Sequence, residues 1–345
     1  MNKIINLIVA FAALTFCFSC NNEWEDEQFA HYVGFKAPIN SDGCTTVHVR
    51  YKTDGSTIKY QLPLVVSGST VHTSDIEAIV ELDADSLYTL NMKNIGERRK
   101  DIWYQDLSDN TNEYIGKDRI VTDFPAKVKI PAGESVALLE IEMDLEDLDQ
   151  SWRWVLPLKV AEGKPGYTAN TRKHYNNAML HIVPFNDVSG SYSASTMLGW
   201  ASDGNGNYPT DTSPYVTTEK TFYATGADAE GNQTAFFYAG NIDHTYKQRD
   251  DYRVDVTFQK TGGAMILTAP NPNLEFSCES ANFSRSDVAD PLKPYLVRKT
   301  TIIQAVYYMK DSTGGVPVYY KYDGSMTMQR TINTQIPDED QAIQW

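Results

Sequence analysis

Tyr60-Gln-Leu-Pro-Leu-Val-Val-Ser-Gly68 returns, with substitutions, as Trp154-Val-Leu-Pro-Leu-Lys-Val-Ala-Glu-Gly163. Both stretches alternate around a shared Leu-Pro-Leu, and a period of two places every second side chain on one face of a strand. A second pair, Glu81-Leu-Asp83-Ala-Asp85-Ser-Leu87 and Glu142-Met-Asp144-Leu-Glu146-Asp-Leu148, stands in reversed order relative to the first, so this is not a tandem repeat. Its acids read as strand ends turning into solvent. Working outward, Thr45–Tyr51, Ala78–Asp83, Lys127–Ile130, Val136–Asp144 and Asn177–Pro184 alternate in the same way between Gly, Pro and Asp turns. Such spacing is that of a β-sandwich over residues 31–187. Pro63 and Pro157 place their strands at edges or bulges, because proline has no N–H to give a ladder. Leu87–Asp123 reads as a polar, irregular insertion.

The turn cluster Phe185-Asn-Asp-Val-Ser-Gly190 marks a seam. Beyond it, strand patterns recur at Ser191–Leu198, Lys220–Thr225, Thr234–Ala239, Tyr252–Gln259, Ala264–Thr268, Thr300–Tyr308, Val316–Tyr322 and Ser325–Arg330. Within residues 188–335 they suit a closed antiparallel β-barrel, lipocalin-like, or a second β-sandwich. Asp323-Gly324 between two runs reads as a hairpin turn. Residues 336–345 read as a tail. The fold class is all-β.

Composition narrows the function. At 345 residues the chain is long enough for two cores. With 45 acidic and 30 basic side chains its formal charge is −15, which argues against nucleic acid, whose binding rests on cations displacing counterions. A 41% hydrophobic content is too high for a disordered chain. Six His and four Cys, scattered, offer neither a zinc cluster nor a disulfide framework.

The first residues read as an address. A basic start at Met1–Lys3 precedes an apolar run, Ile4–Phe18, of about 15 residues, the length of a signal-peptide core and short for a membrane span. It ends in Phe18-Ser19-Cys20, a loose lipobox with Cys17 where Leu is usual. Residues 1–19 are therefore expected to be a lipoprotein signal peptide and Cys20 the lipidated residue. The acidic stretch Asn21-Asn-Glu-Trp-Glu-Asp-Glu27 makes residues 20–30 a solvated tether. The expected location is the outer membrane, lipid-anchored, with the bulk exposed at the cell surface.

Catalytic signatures are missing: there is no Gly-x-Ser-x-Gly, and no pair of His residues has metal-ligand spacing. With 45 acids, proximity of two carboxylates carries no diagnosis of glycosidase chemistry. Asp203-Gly-Asn205-Gly-Asn207-Tyr-Pro-Thr-Asp211 opens like a calcium loop, but Tyr208 replaces the turn glycine and Pro214 the closing acid. It reads as an Asn/Gly-rich loop, with no metal and no cofactor implied. Cys44 and Cys278 read as lone buried thiols. Aromatics on loops are more informative, because flat apolar rings beside amides and acids suit the two faces of a sugar. Trp103 and Tyr104 lie in the polar insertion. Trp200 stands before the Asn/Gly loop, with Tyr208 and Tyr215 beyond it. The candidate glycan-binding residues are Trp200, Asp203, Asn205, Asn207, Tyr208, Tyr215, Trp103 and Tyr104.

The lipobox, the acidic tether, the Leu-Pro-Leu strands and Ile130-Pro-Ala-Gly-Glu-Ser135 resemble a Bacteroidetes family of Sus-type surface glycan-binding lipoproteins. Ser189-Gly-Ser-Tyr192 and Tyr322-Asp-Gly-Ser-Met-Thr-Met-Gln-Arg330 resemble the C-terminal domain that accompanies it. The resemblance implies an immunoglobulin-like N-terminal domain, a place in a polysaccharide-utilisation locus, and a non-enzymatic protein that passes oligosaccharide to a TonB-dependent importer. Host N-glycans are among the implied ligands. A protein-binding adhesin or accessory subunit of the importer, and a glycosidase of unfamiliar type, stay open as other readings.

Overall fold

The computed structural model describes residues 30–51, 57–112, 115, 120–146, 148–162, 166–203, 205–240, 249–261 and 263–336. The expected signal peptide, Cys20, the tether up to residue 29 and the tail from residue 337 lie outside the described residues. The chain is mostly β. Among the described residues no helix is long and apolar enough to cross a membrane.

The first half contains β1 (Tyr32–Phe35), β2 (Thr45–Arg50), β3 (Ile58–Ser67), β4 (Ile76–Leu82), α1 (Ala84–Asn94), β5 (Tyr104–Asp106), β6 (Thr122–Asp123), β7 (Lys127–Ile130), β8 (Val136–Met143), β9 (Arg153–Val160), β10 (Thr168–Ala169) and β11 (Asn177–Phe185). One sheet runs β10-β1-β3-β8-β6 and the other β2-β11-β9-β4-β7, with β5 parallel to β9. The echoing strands β3 and β9 sit in different sheets. Leu62 and Leu64 of β3 and Trp154, Leu156 and Leu158 of β9 meet in one core cluster that extends from Val33 to Ile182. Removing so much apolar surface from water is what holds the two sheets together.

Both prolines depart from expectation: β3 lies between β1 and β8, and β9 between β11 and β4. Pro63 is tolerated because pairing with β1 stops at Leu64. Pro157 lies beyond Leu82–Leu158, where pairing with β4 stops. In each case the missing N–H falls where one ladder has ended. The supposed insertion also begins as a helix. Asp83 caps α1 by accepting from the Ser86 N–H at 3.4 Å, so this acid is a helix start, not a strand end.

The second half contains β12 (Gly190–Ser193), β13 (Leu198–Ala201), β14 (Tyr215–Val216), β15 (Glu219–Ala227), β16 (Gln233–Tyr238), β17 (Arg253–Phe258), β18 (Met265–Thr268), β19 (Ser277–Ala289), β20 (Leu296–Asp311) and β21 (Val318–Asn333). Antiparallel pairing runs β12-β15-β16-β17-β18. A bridge from Ala264 to Asn282 and the bond from the Phe283 N–H to the Gly263 carbonyl (2.7 Å) link β18 to β19. The path continues through β20 and β21 and returns to β12 at Ser193–Thr327. Inward side chains such as Val254, Val256, Ile303, Tyr307, Tyr322 and Met326 fill a second core cluster.

Asp323-Gly324 is not a turn. It lies inside β21, which pairs with β20 without interruption from Asn333 to Val318. Glycine is required there because a Cβ would stand 2.0 Å from the Thr196 carbonyl oxygen. The seam is buried, with Asn186, Val188 and Ser189 all nearly inaccessible. Arg330 of β21 donates to the carbonyls of Asn186 (2.8 Å) and Ser189. Arg50 pairs with Asp187 at 2.9 Å, and both guanidiniums lie over the Phe185 ring. Cys44 is buried as expected, whereas Cys278 is exposed on β19.

Candidate functional site

Trp200 of β13 stands opposite Lys321 of β21, and Lys321 stands opposite Tyr308 of β20. Directly paired residues share a face, and Tyr307 and Tyr322 occupy the buried face. Trp200, Lys321 and Tyr308 therefore form a row across the outer face of the sheet. The loop after β13 brings Tyr208 onto this row, its ring 5.4 Å from that of Tyr308. The Lys321 ammonium sits 6.0 Å from the Tyr308 ring and 3.5 Å from the Asp323 carboxylate.

Acids flank the row. The Tyr308 hydroxyl donates to Glu279 at 2.6 Å, which pushes its pKa up to about 12. Glu275 accepts from Tyr319 (3.1 Å) and from the Lys310 ammonium (2.6 Å), and those two bonds hold its carboxyl below the usual range. Burial raises the Tyr208 phenol. Trp200 is half-buried, and its indole N–H is covered without a hydrogen-bond acceptor among the described residues. Tyr215 is 53% exposed and meets Tyr320 edge-on at 5.5 Å, but it pairs with Gly199, which stands opposite Tyr322, so it lies on the other face of the sheet and is not part of the row.

The Asn/Gly loop is built on its own carboxylate. Asp203 accepts from the backbone of Asn205 (2.8 Å) and Asn207 (3.1 Å) and from the Asn207 side chain (3.0 Å). The same frame recurs at Asp228, which accepts from Glu230 N (3.1 Å), Asn232 N (2.8 Å) and Asn232 Nδ2 (2.9 Å). Both loops place glycine fourth, at φ 84° for Gly206 and 73° for Gly231. The side chains of Asp203 and Asn207 are thus spent on closing a turn, a self-satisfied motif of the Asx type. Asn205 is exposed.

Trp103 and Tyr104 are in the other half. Trp103 folds back: its indole donates to the Gly96 carbonyl at 3.0 Å, and its ring meets Tyr88 edge-on at 5.7 Å. The Lys100 ammonium lies 5.4 Å from the same ring. Tyr104 is not a loop residue but the start of β5, and it is 3% exposed. The Arg153 guanidinium covers its ring at 3.9 Å, and its hydroxyl donates to Asp42 at 2.7 Å while accepting from Arg153. Burial, then the Asp42 bond, raises its pKa strongly. A ring so enclosed offers no face to a sugar.

Tyr308, Lys321 and Tyr319 were missed in the sequence because each lies in a strand far along the chain from Trp200. Period two within Val318-Tyr-Tyr-Lys-Tyr322, with Tyr320 and Tyr322 inward, is the signal that puts Tyr319 and Lys321 outward.

A half-buried aromatic row flanked by charged side chains thus lies on a mostly β chain whose described residues form two large core clusters. A model described as a domain of unknown function (DUF4973) matches residues 24–164, and another described as a C-terminal domain matches residues 176–327. A multidomain protein including DUF1735 from Bacteroides ovatus is 37% identical over 91% of this chain and 100% of its own, with a TM-score of 0.77. A protein of unknown function from the same species is 38% identical over the same shares, also with a TM-score of 0.77. An auxiliary nutrient binding protein from Bacteroides thetaiotaomicron VPI-5482 is 31% identical over 89% of this chain and 97% of its own, with a TM-score of 0.74. The chain belongs to the same family as these Bacteroides proteins. No curated protein matches it.

Proposed function

We propose that this protein is a non-catalytic, cell-surface glycan-binding lipoprotein that captures oligosaccharide for a Sus-type outer-membrane uptake system. The observation that carries this reading is the row Trp200–Lys321–Tyr308 with Tyr208 laid on it, aromatic rings beside hydrogen-bonding groups on one outer face. The name of the 31%-identical relative, an auxiliary nutrient binding protein, supports the same direction. Lipidation at Cys20 and an acidic tether would hold the protein at the outer membrane. On this reading residues 31–187 are an immunoglobulin-like sandwich and residues 188–335 a lipocalin-like barrel. The returning strand path favours the barrel over a second sandwich.

The site is Trp200, Tyr208 and Tyr308 as ring faces, with Lys321, Asn205 and Glu279 as hydroxyl partners. Isothermal titration against N-glycans, plant oligosaccharides and mucin sugars tests it. A stacking ring contributes about 1–3 kcal/mol by analogy with base stacking, so Tyr308→Ala and Trp200→Ala should each weaken binding by about fivefold or more. Unchanged affinity in both variants removes the site. Shortened glycans after incubation, read by mass spectrometry, would replace the binding role with a glycosidase.

A further inference from the structure

A second cleft, of about 440 Å3, lies apart from the aromatic row, between the β15–β16 and β17–β18 turns and β19. Gly231, Gln233, Phe258, Lys260, Phe283 and Arg285 line it. Phe283 meets Phe258 edge-on at 5.2 Å and makes an apolar wall. Arg285 extends over Phe283, its guanidinium 5.4 Å from the ring. The Arg285 Nη2 donates to the side-chain oxygen of Gln233 at 3.0 Å, and the Gln233 amide nitrogen donates to Asp187 at 3.4 Å. Lys260 lies across the opposite turn, its ammonium donating to the Glu230 carbonyl at 3.3 Å. That course depends on glycine, because a Cβ on Gly231 would stand 2.5 Å from the Lys260 ammonium.

Both cations are therefore held in place by neutral oxygens. Neither makes an ion pair among the described residues, although the whole chain carries a net charge of −15. Of the nearby carboxylates, Asp187 pairs with Arg50 at 2.9 Å and feels Arg285 only at longer range, Asp228 accepts from the amides of its own turn, and the exposed Glu230 makes no ion pair with Lys260 among the described residues. Two exposed, positioned cations at one cleft with an aromatic wall match a ligand that carries an anion on a ring. We propose that this cleft takes the acidic group, carboxylate or sulfate, of a charged saccharide, with Arg285 and Lys260 as its anion contacts. This inference rests on the saccharide-binding reading and names a substrate class for it.

The test is calorimetry of the purified protein with trigalacturonate, its neutral methyl ester and a κ-carrageenan tetrasaccharide, which carries sulfate and no carboxylate. A charge-assisted contact is worth a factor of about ten in affinity, so an acidic probe should bind about tenfold tighter than the neutral ester. Lys260→Gln and Arg285→Gln, both at exposed positions, should each remove most of that preference. Raising NaCl from about 50 mM to about 500 mM should weaken the acidic probe and spare the neutral one. Which acidic probe binds identifies carboxylate or sulfate as the source. Equal binding of acid and ester, or a preference that survives both substitutions, overturns the charge assignment while leaving neutral-glycan binding intact. If no neutral or acidic glycan gives heat, the saccharide reading itself falls, and this inference falls with it.

Discussion

Lys220 of β15 is 5% exposed, and its ammonium donates to three carbonyl oxygens at the end of β16: Tyr238 (2.7 Å), Ala239 (3.0 Å) and Gly240 (2.6 Å). Replacing it by methionine keeps the length of the side chain and deletes the cation. Two effects oppose each other. Burial alone pulls the lysine pKa down to about 7 from 10.5, equivalent to a cost of about 5 kcal/mol for the charged form. Against it stand three hydrogen bonds made by a charged donor, each contributing about 1.5–3 kcal/mol, which together match or exceed that cost. Lys220→Met removes both and also leaves three carbonyls without this donor, so a loss of about 2–4 kcal/mol is expected. Urea unfolding at neutral pH measures it. A Lys220→Met protein as stable as the wild type at neutral pH would refute the reasoning, because burial cost would then outweigh the carbonyl bonds.

Burial also pulls His48 and His181 down to about 4, so both are neutral in the native state near neutral pH. The unfolded chain takes up these protons first, near 6.5. Stability should fall as pH drops from about 6.5 to 4, by up to about 3 kcal/mol per histidine, and His181→Gln should flatten part of the slope in urea midpoints. Gly324→Ala would drive a Cβ to 2.0 Å from the Thr196 carbonyl oxygen, so a loss of about 3 kcal/mol or more is expected; an unchanged melting temperature would contradict that. Asp83→Ala strips the cap of α1 and a 2.5 Å bond from Asn177, and should lower stability by about 1–2 kcal/mol in thermal unfolding followed by circular dichroism.

Strands with one wet and one dry face could be read directly. β2, β7 and β17 alternate fully buried residues with more accessible ones along their length, and their sequences alternate to match. β19 could not, because Ser277–Ala289 is exposed at nearly every position and gives no period. α1 was hidden for a related reason: of its eleven residues only Leu87 and Asn91 are buried, too few to write an apolar stripe. Asp323-Gly324 misled because the glycine answers to a neighbouring backbone and not to chain reversal. For the candidate site, Trp200 and Tyr208 were visible as loop-side aromatics. Their partners Tyr308 and Lys321 were not, since register between distant strands decides that meeting. Tyr104 misled in the opposite sense, with polar neighbours in sequence and an arginine lid in space.

The two carboxylate-closed turns at Asp203 and Asp228 have identical joinery around different fillings. In each, the aspartate, glycine and asparagine fix the chain's path, while Asn205 and Glu230 sit at the third place. Such a turn behaves as an interchangeable cartridge. A lineage can revise what that place presents to the surroundings without disturbing the strands on either side, and an engineer can graft the five-residue unit from one hairpin to the other.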